Sequence, residues 1–237
     1  MKKLILAGVL LFTTMVGQVQ AEELSKKDIE KIIGEYIAVN GGEIADSVDR
    51  YLEETRREAA ANLVSEHTPV FGNKDAKVTL IEFSDFRCGY CHKVQETISQ
   101  LREKYEGKVR FAFKNMPILT EESRQAALAG LAAHKQGKFW EFNAKLWDNQ
   151  PRLGDELFVE LAKEVGLDVD QFNTDRASEE IFAQVQIDFE DGKGAGVQGT
   201  PHFIINGKAL SGAQPISAFI DAIDEALESI ASTEPAK

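Results

Sequence analysis

Both cysteines of the chain, Cys88 and Cys91, lie in "FSDFRCGYCHKV", residues 83–94, with only Gly89 and Tyr90 between them. Two thiols at this spacing can be a redox pair, half of a metal site or a small structural clip. A clip over so short a loop removes little entropy from the unfolded chain, so it would stabilise almost nothing. A zinc site needs two further ligands. Of the four histidines only His92 adjoins the pair, while His67, His134 and His202 are scattered without ligand spacing. A redox pair is the leading reading, and its chemistry requires neither a metal nor a cofactor.

Position decides what such a pair can do. The β-branched and apolar run "VTLIEF", 78–83, reads as a buried strand. After the cysteines, Val94, Ile98, Leu101 and Tyr105 follow helical spacing up to Gly107, and "VRFAF", 109–113, reads as a second strand. The unit is βαβ, with the pair between the carboxyl end of a strand and the amino end of a helix. There the unpaired N–H groups and the helix dipole favour a thiolate, and a cysteine pKa can fall to roughly 3.5–7.5. Cys88 is therefore the expected nucleophile. Cys91, one helical turn further, is expected to be more buried and to resolve the mixed disulfide.

The other elements frame this unit. Residues 121–196 read almost entirely as helices, "HFIING" and "KALSG" as a hairpin turning at Asn206-Gly207, and about 215–230 as a final helix. Ahead of the βαβ unit, Ile29, Ile32, Ile33, Tyr36 and Ile37 predict one amphipathic helix over 28–38, stopped by Asn40-Gly41-Gly42. Ile44, Val48, Tyr51, Leu52, Thr55 and Ala59 predict a second over about 43–65. "HTPVFGNKDAK", 67–77, reads as a linker. Most of the aromatic residues, among them Phe139, Trp140, Phe142 and Trp147, are expected in the core, with Phe86 and Tyr90 exposed beside the cysteines.

At the start of the chain, Lys2 and Lys3 precede an apolar run from Leu4 to Val16, and Val19-Gln20-Ala21 offers a cleavage site. Residues 1–21 read as a secretory leader cleaved after Ala21, too short in apolar length for a spanning helix. The formal charge of −12 argues against nucleic acid or an anionic membrane as partner.

"VTLIEFSDFRCGYC", "KNMPIL…S" and "VQGTPHFIING" together resemble the DsbA family of thioredoxin-fold periplasmic thiol–disulfide oxidoreductases, over about residues 70–230. Within it the chain looks most like the ScsC-type (suppressor of copper sensitivity) branch, some members of which trimerise through an N-terminal helical segment. The resemblance implies an α/β thioredoxin fold over 78–231, with a helical insertion at about 121–196, behind a helical oligomerisation segment at 22–66. It also implies that Thr200-Pro201 is the cis-proline loop that lies against the cysteines and offers a backbone edge to the client, beside Gly89 and Tyr90. Glu82 matches the family's buried acid, expected to relay the Cys91 proton, and Lys114 is its candidate charge partner.

Gly89-Tyr90 differs from the Pro-His of the strongly oxidising members and equals the dipeptide of the DsbC isomerases, and Thr200 before the proline follows the isomerase pattern too. The expected function is a periplasmic disulfide isomerase or reductase. Its partners would be unfolded or misoxidised exported proteins, a membrane redox partner and further copies of itself, a trimer being implied. A dithiol oxidase and a Cu(I)-binding protein are the alternatives, since two thiolates suit that soft ion.

Overall fold

The computed structural model describes residues 25–233, so the expected leader lies outside the described residues. The chain divides into two units, the first ending at Asp49 and the second beginning at Arg50. Helix α1, Lys26–Asn62, supplies all the described structure of the first unit beyond Ser25. It corrects the expectation of two helices. Gly41 and Gly42 keep helical backbone and neither has the positive φ of a helix-ending glycine. Each costs about 1 kcal/mol relative to alanine, which weakens a helix but does not end one.

The second unit is built on a five-stranded sheet in the order β1-β3-β2-β4-β5. Its strands are β1 (Val70–Phe71), β2 (Val78–Ser84), β3 (Val109–Asn115), β4 (His202–Ile205) and β5 (Lys208–Ser211). β2 and β3 are parallel, joined by α2 (Gly89–Lys104), and the remaining pairs are antiparallel. The stretch 67–77, expected to be a linker, carries β1, which pairs with Phe111 and Ala112 of β3. The β4–β5 turn has Asn206 at φ 50° and Gly207 at φ 93°, the left-handed pair that a two-residue hairpin requires.

The pleat sorts side chains between the two faces of the sheet. On one face, Val78, Leu80, Val109 and Phe111 pack with Val94, Ile98 and Leu101 of α2 and with Phe219 and Ile223 of α8 (Ile216–Thr233). On the other, Ile81, Phe83 and Ala112 pack with Met116, Val197 and Ala60 near the end of α1. Between β3 and β4 the chain forms α3 (Glu121–Lys135), α4 (Phe139–Asp148), α5 (Asp155–Glu164), α6 (Val169–Arg176) and α7 (Glu179–Gly194). Phe139, Phe142, Leu146, Phe158 and Phe172 of these helices share one cluster with Phe86, Cys88, Cys91 and Phe113, so the inserted helices cover the cysteine end of the sheet. α7 closes on the opposite face at Gly192, where a Cβ would meet the Met116 sulfur at 2.8 Å.

Candidate active site

The loop between β2 and α2 is held from three sides. Asp85, 1 % exposed, accepts hydrogen bonds from the backbone N–H groups of Arg87 (2.7 Å), Ile118 (2.8 Å) and Leu119 (3.0 Å) and from the Ser123 hydroxyl (2.6 Å). Gln150, in a short 3-10 turn after α4, donates to the carbonyls of Phe86 (2.8 Å) and Cys88 (3.0 Å), and its own carbonyl accepts from Arg87 Nη1 (2.9 Å). The antiparallel register Phe83↔His202 brings the loop before β4 to the carboxyl end of β2. Thr200-Pro201 in that loop is a cis peptide, and the Cys88 thiol lies 3.3 Å from the Thr200 carbonyl.

Cys88 stands at the N-cap of α2. Its pKa falls to about 5, chiefly through the hydrogen bond from the Cys91 thiol, helped by the Thr200 side chain and the backbone N–H groups of Tyr90 and Cys91, against the opposing effect of burial. Cys91 is fully buried, and burial, then its bond to Cys88, pushes its pKa far above the ordinary thiol range. One sulfur is ready to attack at neutral pH while the other holds its proton. Gly89 and Tyr90 are exposed, Tyr90 at 68 %, on the helix turn between them. Neither cysteine is in a disulfide.

Glu82 is buried, 3 % exposed, and burial raises its pKa. It accepts a hydrogen bond from Gln95 Nε2 at 2.9 Å, and the same amide donates to the Cys91 carbonyl at 3.1 Å. The cation acting on it is Arg102 of α2, whose guanidinium lies over the rings of Phe71 (4.6 Å) and Trp140 (4.2 Å).

Lys114 is not the partner of Glu82. The parallel register sets Glu82 opposite Phe113 and Lys114 opposite Phe83, and neighbouring residues of a strand point to opposite faces. Lys114 instead binds Asp188 at 2.8 Å and Asp191 at 2.7 Å, both on α7. Phe86 is a second correction. It is 1 % exposed, stacked on Phe113 (5.5 Å between ring centres) and against Trp147 (4.7 Å), because the inserted helices close over it. His92, outside the Cys-x-x-Cys loop, lies parallel to Trp147 at 6.3 Å. Sequence reasoning passed over Ser84, Asp85, Gln95 and Gln150. The first two stand in the quoted motif and Gln95 lies four residues after Cys91, so their spacing was visible, whereas nothing local marks Gln150. Among the described residues no group of three or more His, Cys, Asp or Glu is placed to hold a metal.

A family profile described as Thioredoxin matches residues 64–225. The chain belongs to the thioredoxin family. A relative of this thioredoxin-family chain, the "Probable disulfide bond formation protein D" of Bacillus cereus, is 34% identical over 148 residues, which is 57% of this chain and 68% of that protein. The chain spans only about a quarter of the length of the Na(+)/H(+) antiporters it matches, 26% of one from Mycolicibacterium gilvum at 30% identity over 67% of this chain. A thioredoxin-like oxidoreductase from Silicibacter pomeroyi superposes with a TM-score of 0.66 at 31% identity, over 70% of this chain and 95% of that one. The catalytic domain of Proteus mirabilis ScsC shares the fold at a TM-score of 0.63 and 24% identity, over 73% of this chain and 98% of that one. These likenesses fit the DsbA-like fold expected from the cysteine and proline motifs.

Proposed function

We propose that this protein is a thiol–disulfide oxidoreductase of exported proteins, with Cys88 as nucleophile and Cys91 as resolving thiol. The observation that carries the reading is the split in acidity across one helical turn, a thiol near pH 5 at the head of α2 and one held protonated in the core. A thiolate attacks a client disulfide and the second thiol then releases the client. The Thr200-Pro201 loop beside Cys88 and the exposed Tyr90 form the ground on which an extended client backbone would lie. The test is capture. Cys91→Ala should accumulate mixed disulfides with client proteins, and accumulation on Cys88→Ala instead would reverse the roles.

In direction the protein is an isomerase or reductase, on the strength of Gly89-Tyr90 and of Thr200 before the proline. It acts in the periplasm after loss of residues 1–21 and draws electrons from a membrane partner. No described helix is long and apolar enough to cross a membrane. Self-association would come from α1, where Ile29, Ile32, Ile33, Tyr36, Ile37, Ile44 and Val48 are 41–61 % exposed. An apolar row of that length is costly in water and is relieved by its own copies, three being the number the family resemblance implies. Several active sites facing one client raise the effective concentration of Cys88 after each release, which an isomerase needs and a simple reductase does not. Ile33→Glu with Ile37→Glu should give a monomer that still reduces small disulfides but refolds scrambled ribonuclease poorly. A wild-type protein that is already monomeric would end the association reading.

A further inference from the structure

Among the buried polar groups left without an ordinary partner, the Ser84 hydroxyl stands next to the second cysteine. Ser84, the last residue of β2, is 1 % exposed, and its hydroxyl closes no hydrogen bond of normal geometry. A buried hydroxyl in that condition costs about 1–3 kcal/mol, and such a group in a well-packed site asks for a use. Ser84 and Glu82 are two residues apart on β2, so both face α2. Gln95 fixes the distance between them and the second cysteine, since it holds Glu82 at 2.9 Å and the Cys91 carbonyl at 3.1 Å. The Ser84 hydroxyl sits beside both the Glu82 carboxyl and the Cys91 thiol and stabilises the charged form of each.

We propose that Ser84 passes the Cys91 proton to Glu82 when the mixed disulfide is resolved. The inference rests on the oxidoreductase reading above and assigns a residue to its second step. In that step the Cys91 S–H bond breaks and its proton goes to Ser84 Oγ, while the Ser84 hydroxyl proton goes to a Glu82 carboxylate oxygen. The Cys91 sulfur then attacks Cys88 Sγ. The bond between Cys88 and the client sulfur breaks, and the client leaves as a thiolate with that electron pair. The client gains two electrons, the protein gains the Cys88–Cys91 disulfide, and Glu82 ends protonated.

The chemistry needs such a path. Cys91 has no exposed surface from which a base in bulk solvent could take its proton, yet the thiolate is the attacking form. Glu82, its pKa raised by burial, is a better-matched base than an exposed carboxylate. Gln95 cannot carry the proton, because its amide nitrogen is spent donating to Glu82 and Cys91. A hydroxyl can accept on one side and donate on the other. The charged or titratable groups acting on this path are Cys88, Cys91, Glu82 and Arg102.

Threonine and valine share a shape and differ in the hydroxyl, so Ser84→Thr against Ser84→Val isolates it. The full chain, reduced, is mixed with a peptide disulfide, and capture by Cys88 and release by Cys91 are followed in single turnovers across pH. Release from the valine variant should be about tenfold slower or worse at neutral pH, with the gap closing in alkali, where hydroxide replaces the relay. Capture and the pH dependence of Cys88 alkylation should match in the two variants. In a Glu82→Gln background the gap should vanish, because the two residues act in series. Ser84→Ala compared with the native protein gives the same reading should neither branched side chain fit. Equal release from hydroxyl and non-hydroxyl variants, a gap that survives Glu82→Gln, or capture slowed as much as release would overturn the relay while leaving the oxidoreductase reading intact. A native protein that captures no peptide would overturn both.

Discussion

The two faces of the central sheet each bury one charged residue, and they treat it in opposite ways. On the α7 face Lys114, 1 % exposed, is met by Asp188 and Asp191, and Asp188 also accepts from the Asn115 backbone and side chain at 3.0 Å each. On the α2 face Glu82 is equally buried, yet its direct hydrogen-bond donor is a neutral amide and its cation, Arg102, acts only at a distance. A buried ion whose neighbours neutralise it is held by the fold and serves it. A buried acid held by neutral donors can change protonation state at modest cost, which is what proton transfer demands. Under the proposed function, structure falls to one face and chemistry to the other, although both residues come from adjacent strands.

The largest effect should come from the structural face. Lys114→Met leaves the buried Asp188 and the partly exposed Asp191 without their cation, and stability should fall by about 3–5 kcal/mol in denaturant unfolding, while the alkylation pH profile of Cys88 stays where it was. A shift of that profile would break the division between the faces.

Glu82→Gln should do the reverse. The folded pKa of Glu82 is raised, so ionisation opposes folding once the pH exceeds the unfolded value of about 4.3. The glutamine variant should then be more stable than wild type at pH 8, with the gain fading as the pH falls toward about 4. Release of captured peptide should slow at the same time. Stability lost at every pH would show that the carboxylate is structural.

The thiolate acts in the opposite sense to Glu82. The folded pKa of Cys88, about 5, is depressed, so the thiolate stabilises the reduced protein. That contribution is complete above the ordinary thiol value of about 8.5, shrinks below it, and is gone once the pH drops through about 5. Unfolding of the reduced and oxidised forms should diverge with rising pH across that window. Thr200→Val removes one of the groups that lowers the Cys88 pKa, and the alkylation midpoint should rise by up to about one unit.

Legibility in the sequence followed the range of the interactions. The βαβ unit, the cysteine positions on it and the Asn206-Gly207 turn rest on contacts within a few residues, and the structure shows each of them. The pairing of Glu82 with Lys114 failed because side-chain parity depends on the register between two strands, which neither strand states alone. The helix break at Gly41-Gly42 failed for another reason: glycine permits an ending without compelling one.

By itself, then, the sequence determined the chemistry available and its place on a strand–helix junction, since thiol acidity at a helix start follows from local geometry. Tertiary structure decided which acid meets which thiol. Ser84, Gln95 and Glu82 come together with Cys91 only when α2 folds back over β2, and Lys114 finds its carboxylates only when α7, more than seventy residues on, covers the other face. Such partners are set by packing and by the cost of burying an unmatched charge, and the spacing of Ser84 and Gln95, though visible in the chain, does not state whom they meet.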